Sequence, residues 1–568
     1  VSGSLRTALR SLRAFDRLEV GPVRVEARRL LCPYTVVSGR TSGRPGREAA
    51  RPGRAAGQAA SHRSQTFWLI YRYEEPVFRP GEPGSAALAS AIAAQAALNY
   101  GLFCRTLRFR GPFDRHDRGF LSRMAENTAR EIFVNKFLRP NRFLTGPARA
   151  LQGARLPAPE RFCRARLVFD GPAGTVRAPG RLRLSEARAG TARQKEGRGG
   201  WAVLSSGGKD SLASYGLLRE LGLRPQPVFV NESGRHWFTA RNAYRGLRAA
   251  EPGTSRVWTN ADRLFCWMAR RLPFVRRDFA RLRSDDYPVR LWTVAVFLFG
   301  ALPVLRVRGL ARLVVGNERD TTRRARFHGI RHYDGLFDQS LLFDRAVSRY
   351  FRAKGWGVRC LSLLRPLSDL GIERLLAERY PLLLAWQVSC HAARLSGGWA
   401  LPCGACEKCR RIVALLAASG TSPARCGYRR EQVRACLRVL AERREHALSL
   451  QPADARALLA LLEARGLLPA GNGSGSQSWR GVLRRDPERR LLGVRLDPRR
   501  SPSQDLPAEV RGPLLAIYRS AAAGRRPASP GAAGRLKSGS PPAGRRQIPR
   551  PKPPRGVPAV DAHPPGRA

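Results

Sequence analysis

Trp201-Ala202-Val203-Leu204-Ser205-Ser206-Gly207-Gly208-Lys209-Asp210-Ser211 joins a short apolar run to a loop of small residues. From Leu212 to Leu221 the apolar residues recur at helical spacing, and Gly222 closes the segment. A strand, a small-residue loop and a helix in that order can form a phosphate cradle. Gly207 and Gly208 let the backbone approach an anion, and the first amides of the helix, with the positive end of its dipole, bind it. Lys209 adds a point charge, and Ser206 and Ser211 add hydroxyl donors. The loop is not a Walker A motif, because Val203 stands where the first glycine is needed and Asp210 follows the lysine. On composition alone a tight turn between strand and helix is the better reading.

The flanking sequence extends the pattern. Pro227-Val228-Phe229-Val230 reads as a second strand, Asp262–Arg271 and Pro288–Leu305 as helices, and Arg312-Leu313-Val314-Val315 as a further strand. Alternating strands and helices predict an α/β fold, a parallel doubly wound sheet with helices on both faces. Ligands of such sheets sit at the carboxyl ends of the strands, where the Ser206–Ser211 loop and the Gly316-Asn317-Glu318-Arg319-Asp320 turn both fall.

Composition divides the rest. Residues 1–64 are Arg- and Gly-rich and read as a low-complexity, loosely ordered start. Residues 65–185 read as a smaller α+β domain, with Thr66-Phe67-Trp68-Leu69-Ile70-Tyr71 as a strand and Ser85–Tyr100 as helical. A polar connector, 187–200, leads into the 200–420 domain, and 428–467 reads as a helical extension. Residues 521–568 hold ten basic residues, one acidic residue and eleven prolines, a tail that cannot bury enough apolar surface to order itself.

The 568 residues carry a net charge of +59 and are 43% hydrophobic, which excludes wholesale disorder. Only seven of the 102 basic residues are lysine; the arginine excess is diffuse and reads as solvated surface or as a field for a polyanionic partner. Leu291–Leu305 is the longest apolar run, too short and too interrupted by Pro303 to predict a membrane span. No secretory signal is visible in the sequence as it stands, so a cytoplasmic location is expected.

Eleven cysteines include Cys403, Cys406 and Cys409, with Cys390 13 positions upstream. Two-residue gaps let sulfurs converge on one ion, and soft thiolates in a tetrahedral set favour zinc. Four cysteines leave no open position, so the site is expected to be structural; His391 is a rival fourth ligand, and an iron–sulfur set a rival cofactor.

Ser206-Gly207-Gly208-Lys209-Asp210-Ser211 resembles the SGGxDS signature of the PP-loop ATP pyrophosphatases. Together with Gly316–Arg319, Ser362-Leu363-Leu364-Arg365-Pro366-Leu367-Ser368-Asp369 and Cys403–Arg410, the chain resembles the ATP-dependent epimerases of UDP-N-acetylmuramoyl-L-alanyl-L-glutamate over about 85–420. It is more distantly similar to 7-cyano-7-deazaguanine synthase. Asp320-Thr321-Thr322 and the segment His328–Ser340 depart from the epimerase pattern.

The resemblance implies the adenine nucleotide alpha hydrolase-like fold and ATP, magnesium and zinc as cofactors. It implies adenylation of a carboxylate on a small anionic substrate, a nucleotide-sugar peptide. Ser206, Gly207, Gly208, Lys209, Asp210 and Ser211, with Asn317 and Glu318, are then expected to hold ATP. Lys209, Asp210 and Asp320 are expected to act in catalysis, or Asp210 to assist magnesium. His236, His328, His332, Asp334 and Asp338 are candidates for proton transfer, with no spacing rule to choose among them. Two other readings stand beside this one. One is a PP-loop enzyme acting on tRNA, favoured by the charge but disfavoured by the lack of an aromatic-interleaved basic patch. The other is a non-catalytic zinc-knuckle scaffold or nucleic-acid-binding protein.

Overall fold

An eleven-stranded sheet organises the chain. Its strands are β1 (Phe15–Val20), β2 (Arg24–Glu26), β3 (Arg29–Ser38), β4 (Arg63–Tyr73), β5 (Cys104–Phe109), β6 (Arg166–Phe169), β7 (Gly200–Ser205), β8 (Gln226–Glu232), β9 (Ser255–Thr259) and β10 (Leu310–Val314). A separate hairpin, β11 (Ala325–Phe327) with β12 (Ile330–His332), precedes the edge strand β13 (Arg359–Leu361). The computed structural model describes residues 3–38, 63–170, 199–232, 236–282, 287–448, 450, 452–469 and 505–522.

The order across the sheet is β13-β10-β7-β8-β9-β4-β3-β1-β5-β6, with β2 beside β3. Pairing is parallel from β13 through β9 and again from β1 through β6; β4 and β3 form the antiparallel join. The protein is therefore α/β with a mostly parallel central sheet.

Period-two alternation sends neighbouring side chains into two cores. Ala202 and Val228 enter one, whereas Trp201, Val203 and Phe229 enter the other. The first core is covered by α1 (Gly3–Ser11), α2 (Pro83–Ala94), α3 (Arg115–Ile132), α6 (Ala261–Ala269), α7 (Val294–Val307) and α8 (Leu341–Ala353). The second gathers α4 (Lys209–Glu220), α5 (His236–Ala250), α9 (Asp369–Arg379), α10 (Pro381–Trp386) and α11 (Glu407–Ala418). The expected helical extension joins this second core as α12 (Arg430–Arg443) and α13 (Pro452–Ala464), followed by α14 (Ala508–Ala522).

The apolar run 291–305 becomes α7, whose residues from Leu298 to Leu305 are all buried, which is why it is hydrophobic all round. It starts at Val294 rather than Pro288. The Asp338 carboxylate accepts from the amides of Thr293 and Val294, both at 2.8 Å, and of Ala295 at 3.3 Å, capping the helix from a distant turn. Among the described residues no helix is long and apolar enough to cross a membrane.

The loosely ordered start expected over 1–64 is corrected over Gly3–Ser38, which supplies a helix and three strands of the sheet. Leu30, Cys32, Tyr34 and Val36 are buried on alternate positions of β3. Arginines at the start of β3 (Arg28, Arg29) and on β1 and β2 (Arg17, Arg24) give this segment its Arg-rich look without preventing strands. Residues 39–62 lie outside the described residues, as do most of the 187–200 connector and the tail from 523. The domain boundary expected near 185–200 meets one continuous sheet: β4, from the N-terminal part, pairs with β9 through Tyr71↔Thr259, Arg72↔Trp258 and Tyr73↔Val257.

Candidate active site and metal centre

The Ser206–Ser211 loop leaves the carboxyl end of β7 and enters α4. Gly207 has φ +75°, and a Cβ there would lie 2.8 Å from the Cα of Ala240, so α5 passes too close for any side chain. Its amide donates to Ser205 Oγ at 3.2 Å, and the Ser205 and Ser211 hydroxyls lie 3.1 Å apart, bracing the turn from within. Gly208 is the N-cap of α4 and no side chain caps the helix. A Cβ on Gly208 would have room, with Ser206 Oγ at 3.6 Å and Ser389 Oγ at 3.8 Å. The loop thus presents uncapped helix amides beneath a face kept clear of side chains, with Ser206 exposed beside it.

Lys209 points into the protein, its side chain 6% exposed, and its ammonium pairs with Asp210 and, at 2.5 Å, with Asp369. Burial works against the lysine charge, but Asp210, Asp369 and Glu318 outweigh it and hold the ammonium well above the ordinary lysine range. The surrounding carboxyls separate into two kinds. Asp369 is disfavoured by burial yet is held below the usual range by Lys209 and Arg411. Glu318 is pushed up to about 8 by burial and by the Asp369 and Asp210 charges. Glu373 is pushed up to about 7 by burial, against the pull of Lys209 and Gln387. Asp210 is raised by burial, with Lys209 opposing.

Three blocks far apart in sequence meet here. The backbone of Gly316 lies against the start of α4, since a Cβ on it would fall 2.6 Å from Asp210 Cβ. Asn317 is locked to Ser362: its amide donates to Ser362 Oγ at 3.2 Å, and that hydroxyl donates to Asn317 O at 2.7 Å. The Arg319 amide donates to Leu367 O at 3.0 Å, which brings the turn alongside Ser368 and Asp369 at the start of α9. The structure therefore brings Ser206–Ser211, Asn317 and Glu318 together. Asp320 lies on the adjoining turn Arg319–Thr322, with its side chain outside the described residues. Asp369, Glu373 and Arg411 are additions. Asp369 stands at the end of the Ser362–Asp369 block, while Glu373 one helical turn later and Arg411 two residues past Cys409 carry no signal in linear sequence.

The proton-transfer candidates are placed elsewhere. Asp338 caps α7, and burial raises it to about 6 against the three amides. His332 accepts from the Asp334 amide through Nδ1 at 3.0 Å and is lowered to about 4 by burial and by Arg139. Asp334 pairs with Arg139, and the same loop is held by Glu131 of α3, which accepts from the amides of Tyr333 and Gly335. His328 is an exposed turn residue of the β11–β12 hairpin at φ +46°. The His236 side chain is outside the described residues.

Cys390, Cys403, Cys406 and Cys409 bring their sulfurs within 4.8 Å of one another. Separations of 3.8 Å for Cys403–Cys409, 3.9 Å for Cys390–Cys406 and 3.5 Å for Cys406–Cys409 match a tetrahedron. Four sulfurs ~2.3 Å from a shared ion would stand ~3.8 Å apart. Gly404 makes the turn possible: it has φ +72°, and a Cβ would press on Gln432 at 2.6 Å. Amides of Ala392 and Cys403 donate to Cys390 Sγ at 3.3 and 3.2 Å, an outer shell suited to a thiolate. The group can hold a metal ion such as zinc without His391. Its flanks reach the loop, because Ser389 precedes Cys390 and lies by Gly208, and Arg411 follows Cys409 and acts on Asp369 and Asp210.

No family model, no curated protein and no solved structure matches this chain.

Proposed function

We propose that the protein binds ATP on the Ser206–Ser211 loop and adenylates a substrate carboxylate with release of pyrophosphate. The substrate in this reading is a muropeptide precursor of the UDP-N-acetylmuramoyl-L-alanyl-L-glutamate type. The observation that carries it is the convergence of the Ser206–Ser211, Gly316–Arg319 and Ser362–Asp369 blocks around one ammonium, Lys209. Those are the blocks on which the resemblance to the epimerases rests.

The loop amides and the α4 dipole would take the phosphates. A substrate carboxylate oxygen bonds to the α-phosphorus while the bond from that phosphorus to the bridging oxygen breaks, and pyrophosphate leaves with the electron pair. The acyl-adenylate acidifies the neighbouring Cα–H; removing that proton and returning one to the other face inverts the centre, and water then releases AMP. Glu318, held up to about 8, belongs to the ring of charged groups around Lys209 and is suited to exchange a proton near neutrality. Magnesium bound with the nucleotide would shield the phosphate charge. Asp210 and Asp369, 31% and 21% exposed, are the carboxylates that would face it. Zinc in the cysteine group would brace the segments carrying Ser389 and Arg411.

The test is product analysis with α-labelled ATP and magnesium. AMP and pyrophosphate formed only with UDP-N-acetylmuramoyl-L-Ala-L-Glu, with D-Glu recovered on hydrolysis, support the whole reading. AMP released instead with bulk tRNA or a deazaguanine acid keeps the adenylation and moves the substrate. Absence of ATP binding overturns the enzyme reading.

A further inference from the structure

A cavity of about 350 Å3 lies between α8 and the edge strand β13, roofed by Asp505 and Leu506 of the segment that leads into α14. It lies within the size range of small-ligand pockets. Five guanidiniums line it against two carboxylates, those of Asp344 and Asp505. Asp344 is already engaged, paired with Arg365 in the buried floor. Arg345, Arg349 and Arg352 stand at successive turns of α8, so one face of that helix directs three cations at the cavity.

The chain's own anion shows what the cavity accepts. The Asp505 carboxylate takes a bidentate contact from Arg345, Nε to Oδ1 at 2.9 Å and Nη2 to Oδ2 at 2.7 Å, and Arg359 donates to the Asp505 carbonyl at 2.6 Å. The Arg349 and Arg352 side chains, by contrast, form no hydrogen bond or ion pair among the described residues. One carboxylate thus leaves an excess of positive charge, which a dianionic group with several acceptor oxygens would satisfy better. Guanidinium forks match phosphate in geometry as well as charge.

We propose that this cavity is a second anion site, which binds the phosphate group of a small phosphorylated molecule in competition with Asp505. It is independent of the ATP reading, although its floor continues to the candidate active site. Arg365 donates to Thr321 Oγ1 at 2.8 Å and to Thr322 Oγ1 at 3.1 Å, on the turn that follows Glu318, and Ser362 is locked to Asn317. An occupant here would lean on the turn that positions Glu318.

The experiment is arginine-selective dicarbonyl modification of the full chain, mapped by peptide mass spectrometry with and without inorganic phosphate at constant ionic strength. Modification of Arg349 and Arg352 is expected to slow at least five-fold with phosphate, while that of Arg429 and Arg430 at the start of α12 stays unchanged. Asp505→Asn, which removes the internal competitor, is expected to lower the phosphate concentration giving half protection several-fold. Equal protection at all four arginines would reduce the effect to the general charge of the surface and overturn the site. So would no protection at all, or weaker protection in Asp505→Asn with its fold intact by circular dichroism. Because the readout is local to α8, none of these outcomes depends on whether ATP binds at the loop.

Discussion

The Lys209 ammonium lies 2.5 Å from the Asp369 carboxylate, joining the Ser206–Ser211 loop to the first turn of α9 across 160 residues of chain. Lys209 is almost wholly buried and Asp369 is 21% exposed, so the lysine depends on its carboxylates to stay charged. Deleting one partner of a buried pair leaves an uncompensated charge and costs ~3–5 kcal/mol. The cost here falls below that range, because Asp369 is partly exposed and Asp210 also holds the lysine. Asp369→Ala is expected to destabilise the fold by ~2–3 kcal/mol, read from urea denaturation. An unchanged midpoint would mean the pair is solvated and the ring is not an electrostatic unit.

Glu373 carries a distinct pH signature. Its folded value is about 7, above the ordinary 4.5, so the folded state keeps a proton that the unfolded chain has already released. Between about 4.5 and 7 the unfolded state binds fewer protons, and stability falls as pH rises. Glu318, raised to about 8, extends the decline. Glu373→Gln is expected to match the parent near pH 5, to exceed it in stability above pH 7, and to flatten the slope by about one proton. Urea midpoints from pH 5 to 9 for both proteins check this, and parallel curves would refute it.

Gly207 and Gly208 are neighbours with opposite expected behaviour. At Gly207 both the φ of +75° and the 2.8 Å approach to Ala240 forbid a side chain, so Gly207→Ala should lower stability by ~2 kcal/mol or more. At Gly208 the φ of −87° suits any residue and the nearest atoms are 3.6 Å away or farther. Gly208→Ala should fold normally yet weaken ATP binding at least ten-fold, because the methyl stands where a phosphate would approach. Thermal melts beside nucleotide titration separate the two effects. Full ATP affinity in Gly208→Ala would remove the loop as the nucleotide site.

What the sequence made legible follows from how local each signal is. The β7–loop–α4 unit and the body of α7, though not its start, are legible because a contiguous apolar run or a glycine pair specifies them. The cysteine group is legible because three of its four members are local. The N-terminal strands are obscured by arginine on their flanks and exposed faces, although the alternation of Leu30, Cys32, Tyr34 and Val36 is present in the sequence. Asp338 is one of five proton-transfer candidates in the sequence, with nothing to choose among them; its capping role exists only once the 338 turn has folded against α7. Glu373 and Arg411 join the charged groups around Lys209 through the packing of α9 on α4 and of α11 on α9, which no spacing rule reports.

The cysteine group links folding to the loop, and this link can be measured directly. Its sulfurs already stand at tetrahedral separations, and Cys390 and Cys409 belong to the second core. The purified protein is therefore expected to carry about one zinc per chain by elemental analysis. Chelation should lower the melting temperature markedly, since structural zinc contributes on the order of 10 kcal/mol of binding free energy to folding. Cys406→Ser should lose most of the metal. Ser389 lies by Gly208, and the charge of Arg411 acts on Asp369 and Asp210. Chelation should accordingly weaken ATP binding at temperatures well below the melt, where circular dichroism still reports a folded chain. Unchanged nucleotide affinity in a folded, metal-free protein would show that the cysteine group supports the second core alone and does not position the loop.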